Sequence, residues 1–213
     1  MIPENVKGKV TLYRRAEAEI IEKKSRFIGH AVPVKNEQEA QAFVAEIKGI
    51  HANATHNVYA YYINDGAIAR CSDDGEPQGS SGYPTLNALK TCGATDMCVV
   101  VTRYFGGTLL GTAGLARTYA AAARAAIDEA GFAVYENFTI VMIEVGYSEY
   151  QKLTVLLKNE EINEEDTDFG EFVTVTAAVP EGKLEKLRTN VRDMSQGRGK
   201  FEEICVEERL RPL

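Results

Sequence analysis

The sequence predicts an α+β protein built as two domains, and three observations carry that reading. Apolar residues switch along the chain between a strand-like period of two and a helix-like period near 3.6. After Gly131 these stretches run strand, helix, strand, strand, helix, strand, which is the split βαβ or ferredoxin-like order. Charge changes at the same place. Residues 1–134 carry 14 Lys and Arg against 14 Asp and Glu, whereas residues 135–213 carry 10 against 17 and hold the whole net charge of -7. The chain therefore divides into residues 1–134 and residues 135–213, with no long linker between them.

Taken in order, residues 11–21 and 26–34 read as two strands around a polar turn. Asn36 has the chemistry of a helix cap, with Glu39 three places on. Ala40, Phe43, Val44 and Ile47 then recur at helical spacing, so this helix buries one stripe and stops near Gly49. Residues 57–63 (NVYAYYI) form a strand, turn at Asn64-Asp65-Gly66, and return as a short strand over 67–71. Residues 72–84 (SDDGEPQGSSGYP) form a polar surface loop, after which Thr85 caps a helix over 86–91.

The next unit is the centre of the first domain: a strand over 97–102, a glycine loop over 106–114 and a helix over about 113–130. Alanine favours helix and has a small side chain, so residues 120–126 suit a helix lying close against a sheet. In the second domain the expected elements are a strand over 138–146 and a helix over 147–158 capped by Ser148. An acidic strand or loop over 160–166, a strand over 169–179, a helix over 180–194 and a closing strand over 200–209 follow.

Several classes of function are disfavoured. Apolar runs fall short of the eighteen or so residues of a membrane span, and the N-terminus lacks the basic-then-apolar order of a secretion signal. No membrane contact is expected, and the cytoplasm is the expected location. Cys71, Cys92, Cys98 and Cys205 make no CxxC pair, which argues for reduced thiols rather than a disulfide framework or a zinc knot. The acidic balance disfavours non-specific nucleic acid binding by the chain as a whole, and no DNA sequence specificity is expected. The neutral first domain can still carry a local basic patch.

Arg103-Tyr104-Phe105-Gly106-Gly107 is the group with the most chemistry. Glycines permit close approach and unusual backbone dihedrals, and exposed amides can form an anion-binding nest. Gly106, Gly107, Gly111 and Gly114 match neither GxGxxG nor GKS/GKT, so nucleotide cofactors are disfavoured and no cofactor is expected. Two readings of the arginines stay open. Arg103 and Arg117 grip a phosphate, with Tyr104 free to stack on a base; or Arg103 pairs with Asp73 or Asp74, and the glycines only let the helix approach the sheet.

Asp73, Asp74 and Glu76 place three carboxylates in four positions. They read either as ligands for a hard cation or as a hydrogen-bonded loop, and their spacing is not that of a calcium loop. His30, His51 and His56 lack neighbours at zinc spacing. A nucleophilic Ser80 or Ser81 beside a histidine needs a proximity that no spacing supplies. Cys71 and Cys98 read as small buried apolar groups.

Four segments, KKSRFIGH (23–30), residues 56–61, SDDGEPQGSSG (72–82) and VVVTRYFGGTLLGTAGLARTY (99–119), resemble the IMPACT family (UPF0029), in its bacterial YigZ/YvyE-like branch. The resemblance covers nearly the whole chain. Ser80-Ser81 stands where Thr-Ala is commoner, and Thr112-Ala113 where Ala-Gly is commoner; both changes are small for small. The resemblance implies a first domain like ribosomal protein S5 domain 2 and a second like the ferredoxin-like domains of elongation factor G. A eukaryotic relative regulates translation by competing for the activator of an initiation-factor kinase. This chain shows no RWD domain, so that role does not transfer intact, and no catalytic residues are carried over.

The sequence reading is thus a non-enzymatic, translation-linked protein that contacts RNA, the ribosome or a translation factor. The expected contact face joins Arg26, His56, Ser80, Ser81, Arg103, Tyr104, Gly106, Gly107 and Arg117. Two alternatives remain: a metal-assisted hydrolase using Asp73, Asp74, Glu76 and His56, and a protein-binding adaptor that uses the exposed sheet of the second domain.

Overall fold

The structure, a computed structural model of the chain, describes Val6 and residues 8–213. The reading of the extreme N-terminus rests largely on residues 1–5 and 7 and so lies outside the described residues. The protein is α+β and has two sheet-containing units. One unit ends at Tyr135 and includes Leu210–Leu213; the other is Glu136–Arg209. The division differs from 135–213 at the chain end, where the last four residues cluster with the first unit.

In the first unit, β2 (Ala16–Glu22), β3 (Ser25–Pro33), β4 (His56–Ile63), β5 (Ile68–Ser72) and β6 (Met97–Tyr104) form an antiparallel sheet in the order β2-β3-β6-β4-β5. The central strand β6 is buried on both faces, which is why it reads as an unbroken apolar run. Met97, Val99 and Val101 pack beneath α2 (Gly82–Lys90) and α3 (Gly111–Ala130). Cys98 and Val100 pack with Ala40, Phe43 and Ile47 of α1 (Glu37–Ile50) on the opposite face. Helix α3 comes very close to β3: a Cβ on Gly29 would stand 2.5 Å from the Ala122 carbonyl oxygen.

The predicted cap of α1 is present, since Asn36 Oδ1 accepts from Glu39 N at 2.9 Å and Glu39 Oε2 accepts from Lys35 N at 2.8 Å. Other local expectations change. The strand expected over 11–21 breaks into β1 (Val10–Leu12) and β2. Between them Tyr13 N and Arg14 N donate to the Gly131 and Ala130 carbonyls, closing the C-terminal end of α3. Thr85 does not cap α2; it lies inside the helix and its hydroxyl donates to the Ser81 carbonyl.

In the second unit, α4 (Tyr147–Asn159) and α5 (Leu184–Met194) pack on one face of a sheet ordered β8-β9-β7-β10. The strands are β7 (Phe132–Val145), β8 (Glu164–Phe169), β9 (Val173–Pro180) and β10 (Lys200–Pro212). Strand β7 starts earlier than expected because Phe132–Val134 pair with β1 in the first unit before the strand continues into the second. Gly146, not Ser148, is the N-cap of α4, and Ser148 donates to the neighbouring Glu149 instead.

Candidate functional site

The loop between β5 and α2 turns its three carboxylates toward three different sets of protein donors. The Asp73 carboxylate accepts from Gly79 N at 2.8 Å, Ser81 N at 3.0 Å, Ser81 Oγ at 2.9 Å and Gly82 N at 2.8 Å. It therefore satisfies amides at the start of α2 from a distance in sequence. Asp74, with φ 44°, accepts from Lys48 Nζ at 2.5 Å and from Asn57 N at 2.7 Å. Burial raises both carboxyls, and these bonds outweigh it, so both sit below their ordinary value.

Glu76 points inward. Its Oε1 accepts from Arg103 Nη1 at 2.5 Å and from the Tyr119 hydroxyl at 2.8 Å, and lies 3.8 Å from His56 Nε2. His56 Nδ1 stands 2.8 Å from the Asp74 carbonyl, which only accepts, so that nitrogen carries the proton. Arg103 is only 5% exposed. Its guanidinium carbon lies 5.3 Å from the Phe27 ring centre and 5.4 Å from that of Phe105, and its Nε has no hydrogen-bond partner among the described residues. Burial first, then the Glu76 charge, pushes the Tyr119 phenol upward and keeps it protonated.

The outer surface next to this cluster is basic and aromatic. Phe105 covers Arg103 and is itself 46% exposed. Gly106 presses against the β2–β3 turn, where a Cβ would stand 2.0 Å from the Lys24 carbonyl carbon, and its amide donates to Ser25 Oγ at 3.1 Å. That contact sets the glycine loop beside Lys23 and Lys24. Both lysines and Arg117 are exposed and form no ion pair among the described residues. A cleft of about 280 Å³ is lined by Lys23, Arg117, Glu22, Ile20 and Leu110. Arg26 is exposed too, paired with Glu19 at 2.8 Å and lying 5.7 Å from the Tyr104 ring centre.

The expected contact residues thus separate into two groups. Gly106 and Gly107 lie beside Lys24 and Arg117 lines a cleft with Lys23, whereas Arg26 is exposed on the other face of the sheet beside Tyr104, which is half-buried with its hydroxyl 2.9 Å from His51 Nδ1. Arg103, Ser80 and Ser81 are buried and are corrected. Arg103 cannot grip a phosphate while Glu76 holds it inside, and its partner is Glu76 rather than Asp73 or Asp74. Ser81 is spent on Asp73, and Ser80 Oγ donates to the Pro77 carbonyl at 2.6 Å. His56 belongs to the internal cluster. Sequence reasoning missed Lys23, Lys24 and Phe105, although KKSRF and RYFGG place cationic and aromatic side chains beside tight turns.

The hydrolase arrangement is not assembled. Asp73, Asp74 and Glu76 do not converge, and among the described residues no group of three or more His, Cys, Asp or Glu is placed to hold a metal ion. Burial pushes the thiols of Cys71, Cys92 and Cys98 upward, away from the thiolate. Among the described residues no helix is long and apolar enough to cross a membrane.

The comparisons with known proteins agree along the length of the chain. Residues 23–127 match the Impact N-terminal domain, and residues 143–198 match a domain of unknown function, DUF1949. The chain is 34% identical to "IMPACT family member YvyE" of Bacillus subtilis (strain 168), over 91% of this chain and 89% of that protein. It is 37% identical to "IMPACT family member in pol 5'region" of Thermus thermophilus, over 75% and 86%. A solved structure described as a hypothetical protein superposes with a TM-score of 0.56 at 27% identity, covering 92% of this chain and 97% of the other.

Proposed function

The chain belongs to the IMPACT family, and from that premise we propose that it is a non-enzymatic binding protein linked to translation, which contacts RNA through its first unit. The observation that carries this reading is a set of exposed cations with no ion pair among the described residues: Lys24 beside Gly106, next in the chain to the exposed ring of Phe105, and Lys23 with Arg117 lining one cleft. Cations contact phosphates and release counterions, which supplies affinity without sequence information. An exposed aromatic ring stacks on an unpaired base. Glu76 and Arg103 serve this surface from below: the ion pair fixes the guanidinium on which Phe105 rests.

The same reading takes the first unit as like ribosomal protein S5 domain 2 and the second as ferredoxin-like. The strand order β8-β9-β7-β10, with α4 and α5 as the connecting helices on one face, supports the second assignment. Ultraviolet cross-linking in cells, followed by digestion and mapping of the adducts, tests the proposal. RNA adducts on the peptide that contains Phe105 are expected; protein-only adducts on the first unit would overturn it.

A further inference from the structure

Strand β10 forms the edge of the second unit's sheet, pairing among the described residues with β7 alone. An uncovered edge presents a row of unpaired amides and carbonyls that can receive another strand. Residues 202–208 are all exposed, and Ile204 and Val206 are 51% and 64% exposed. Alternation places Lys200, Glu202, Ile204, Val206 and Glu208 on one face. The Lys200–Glu144 ion pair at 2.7 Å puts that face on the side of Glu144, opposite the helices. Phe201 and Glu203 instead meet Arg188 of α5 on the other side. The exposed face of β10 is thus two apolar side chains flanked by two glutamates that form no ion pair among the described residues.

This pattern discriminates between occupants. If a second copy paired antiparallel about Cys205, Glu202 would face Glu208, Glu203 would face Glu207, and Ile204 would face Val206. Four like-charged oppositions flanking two apolar pairs are destabilising. A strand that carries Lys or Arg at the outer positions and apolar residues at the inner ones meets complementary groups opposite Glu202, Ile204, Val206 and Glu208. We propose that β10 receives an extended, basic polypeptide segment by strand addition, in which main-chain hydrogen bonds give affinity and the Glu202–Glu208 stripe selects positive charge.

The test uses the full chain and a synthetic seven-residue peptide of alternating threonine with lysine, valine, valine and lysine, beside a counterpart with glutamate in place of lysine. Hydrogen exchange with mass spectrometry is expected to show slower exchange over residues 200–209 with the lysine peptide and none with the glutamate peptide. The E202K/E208K double variant, checked for an unchanged melting profile, is expected to weaken lysine-peptide binding about tenfold. Substituting Lys23, Lys24 and Arg117 is expected to leave it unchanged, which separates this proposal from RNA binding. Unaltered exchange over 200–209 at millimolar peptide, equal protection by both peptides, or concentration-dependent self-association that protects β10 would each overturn it.

Discussion

Arg103 Nη1 and Glu76 Oε1 stand 2.5 Å apart with both side chains buried, so the most prominent cation of the glycine-loop motif is a structural element. Its charge is balanced by Glu76 and its faces are covered by Phe27 and Phe105. The surface that Phe105 presents depends on this pair from beneath. Removing one partner leaves the other charged and buried, which costs far more than the net value of the pair.

Glu76→Ala is expected to destabilise the protein by about 3–5 kcal/mol in denaturant unfolding. The double variant Glu76→Leu with Arg103→Met, which removes both charges, is expected to recover most of that loss. A single variant with wild-type stability would contradict the assignment.

Asp73 caps α2 through space, and Asp73→Asn is expected to cost about 1–2 kcal/mol near neutral pH. The folded-state pKa of Asp73 is lowered: burial raises it and the bonds from Gly79, Gly82 and Ser81 outweigh that. Its contribution is therefore present above the unfolded value of about 3.9 and is lost as pH falls through the lower folded value. The gap between wild type and variant, measured by unfolding across pH, is expected to narrow below pH ~4.

His30 is 3% exposed, with Nδ1 3.2 Å from Glu17 and, among the described residues, no hydrogen-bond partner for Nε2. Burial, together with His51 and Arg15, pulls it down to about 4, against the opposing Glu17 charge. A depressed histidine is neutral in the fold. Its contribution is full above the unfolded pKa of about 6.5 and is lost as pH falls toward the folded value, with a slope approaching about 1.4 kcal/mol per pH unit. His30→Gln is expected to flatten the wild-type stability profile in that window. An imidazole that titrates near its ordinary value by NMR would contradict it.

Two neighbouring glycines are expected to respond differently. A side chain at Gly106 collides with the Lys24 backbone, so Gly106→Ala is expected to cost about 3 kcal/mol or more. Gly107 has φ 82° and nothing within 4 Å of a built Cβ, so Gly107→Ala meets only backbone strain of about 1–2 kcal/mol. Thermal unfolding of the two variants side by side checks the order.

Periodicity and local chemistry made much of the fold legible. The Asn36 cap is written within four residues, and the apolar run of β6 announces a strand covered on both faces. The misplaced features depend on partners remote in sequence. Thr85 looks like a cap until Asp73, twelve residues earlier, is seen to hold the amides at the start of α2. The expected strand over 11–21 breaks because Tyr13 and Arg14 close the end of α3. Whether Arg103 faces in or out is set by strand parity together with the reach of Glu76 and Tyr119, neither of which is local.

The central claim is that Lys23, Lys24 and Arg117 contact phosphate. The direct measurement is the affinity of the chain for an unstructured single-stranded RNA of about twelve nucleotides across a range of salt concentrations, for wild type and for Lys23→Ala/Lys24→Ala/Arg117→Ala. Each phosphate contact on a single strand contributes about 0.7 to the slope of log affinity against log salt, so loss of all three predicts a slope smaller by about 2. Equal slopes and equal affinities in the two proteins would contradict the account.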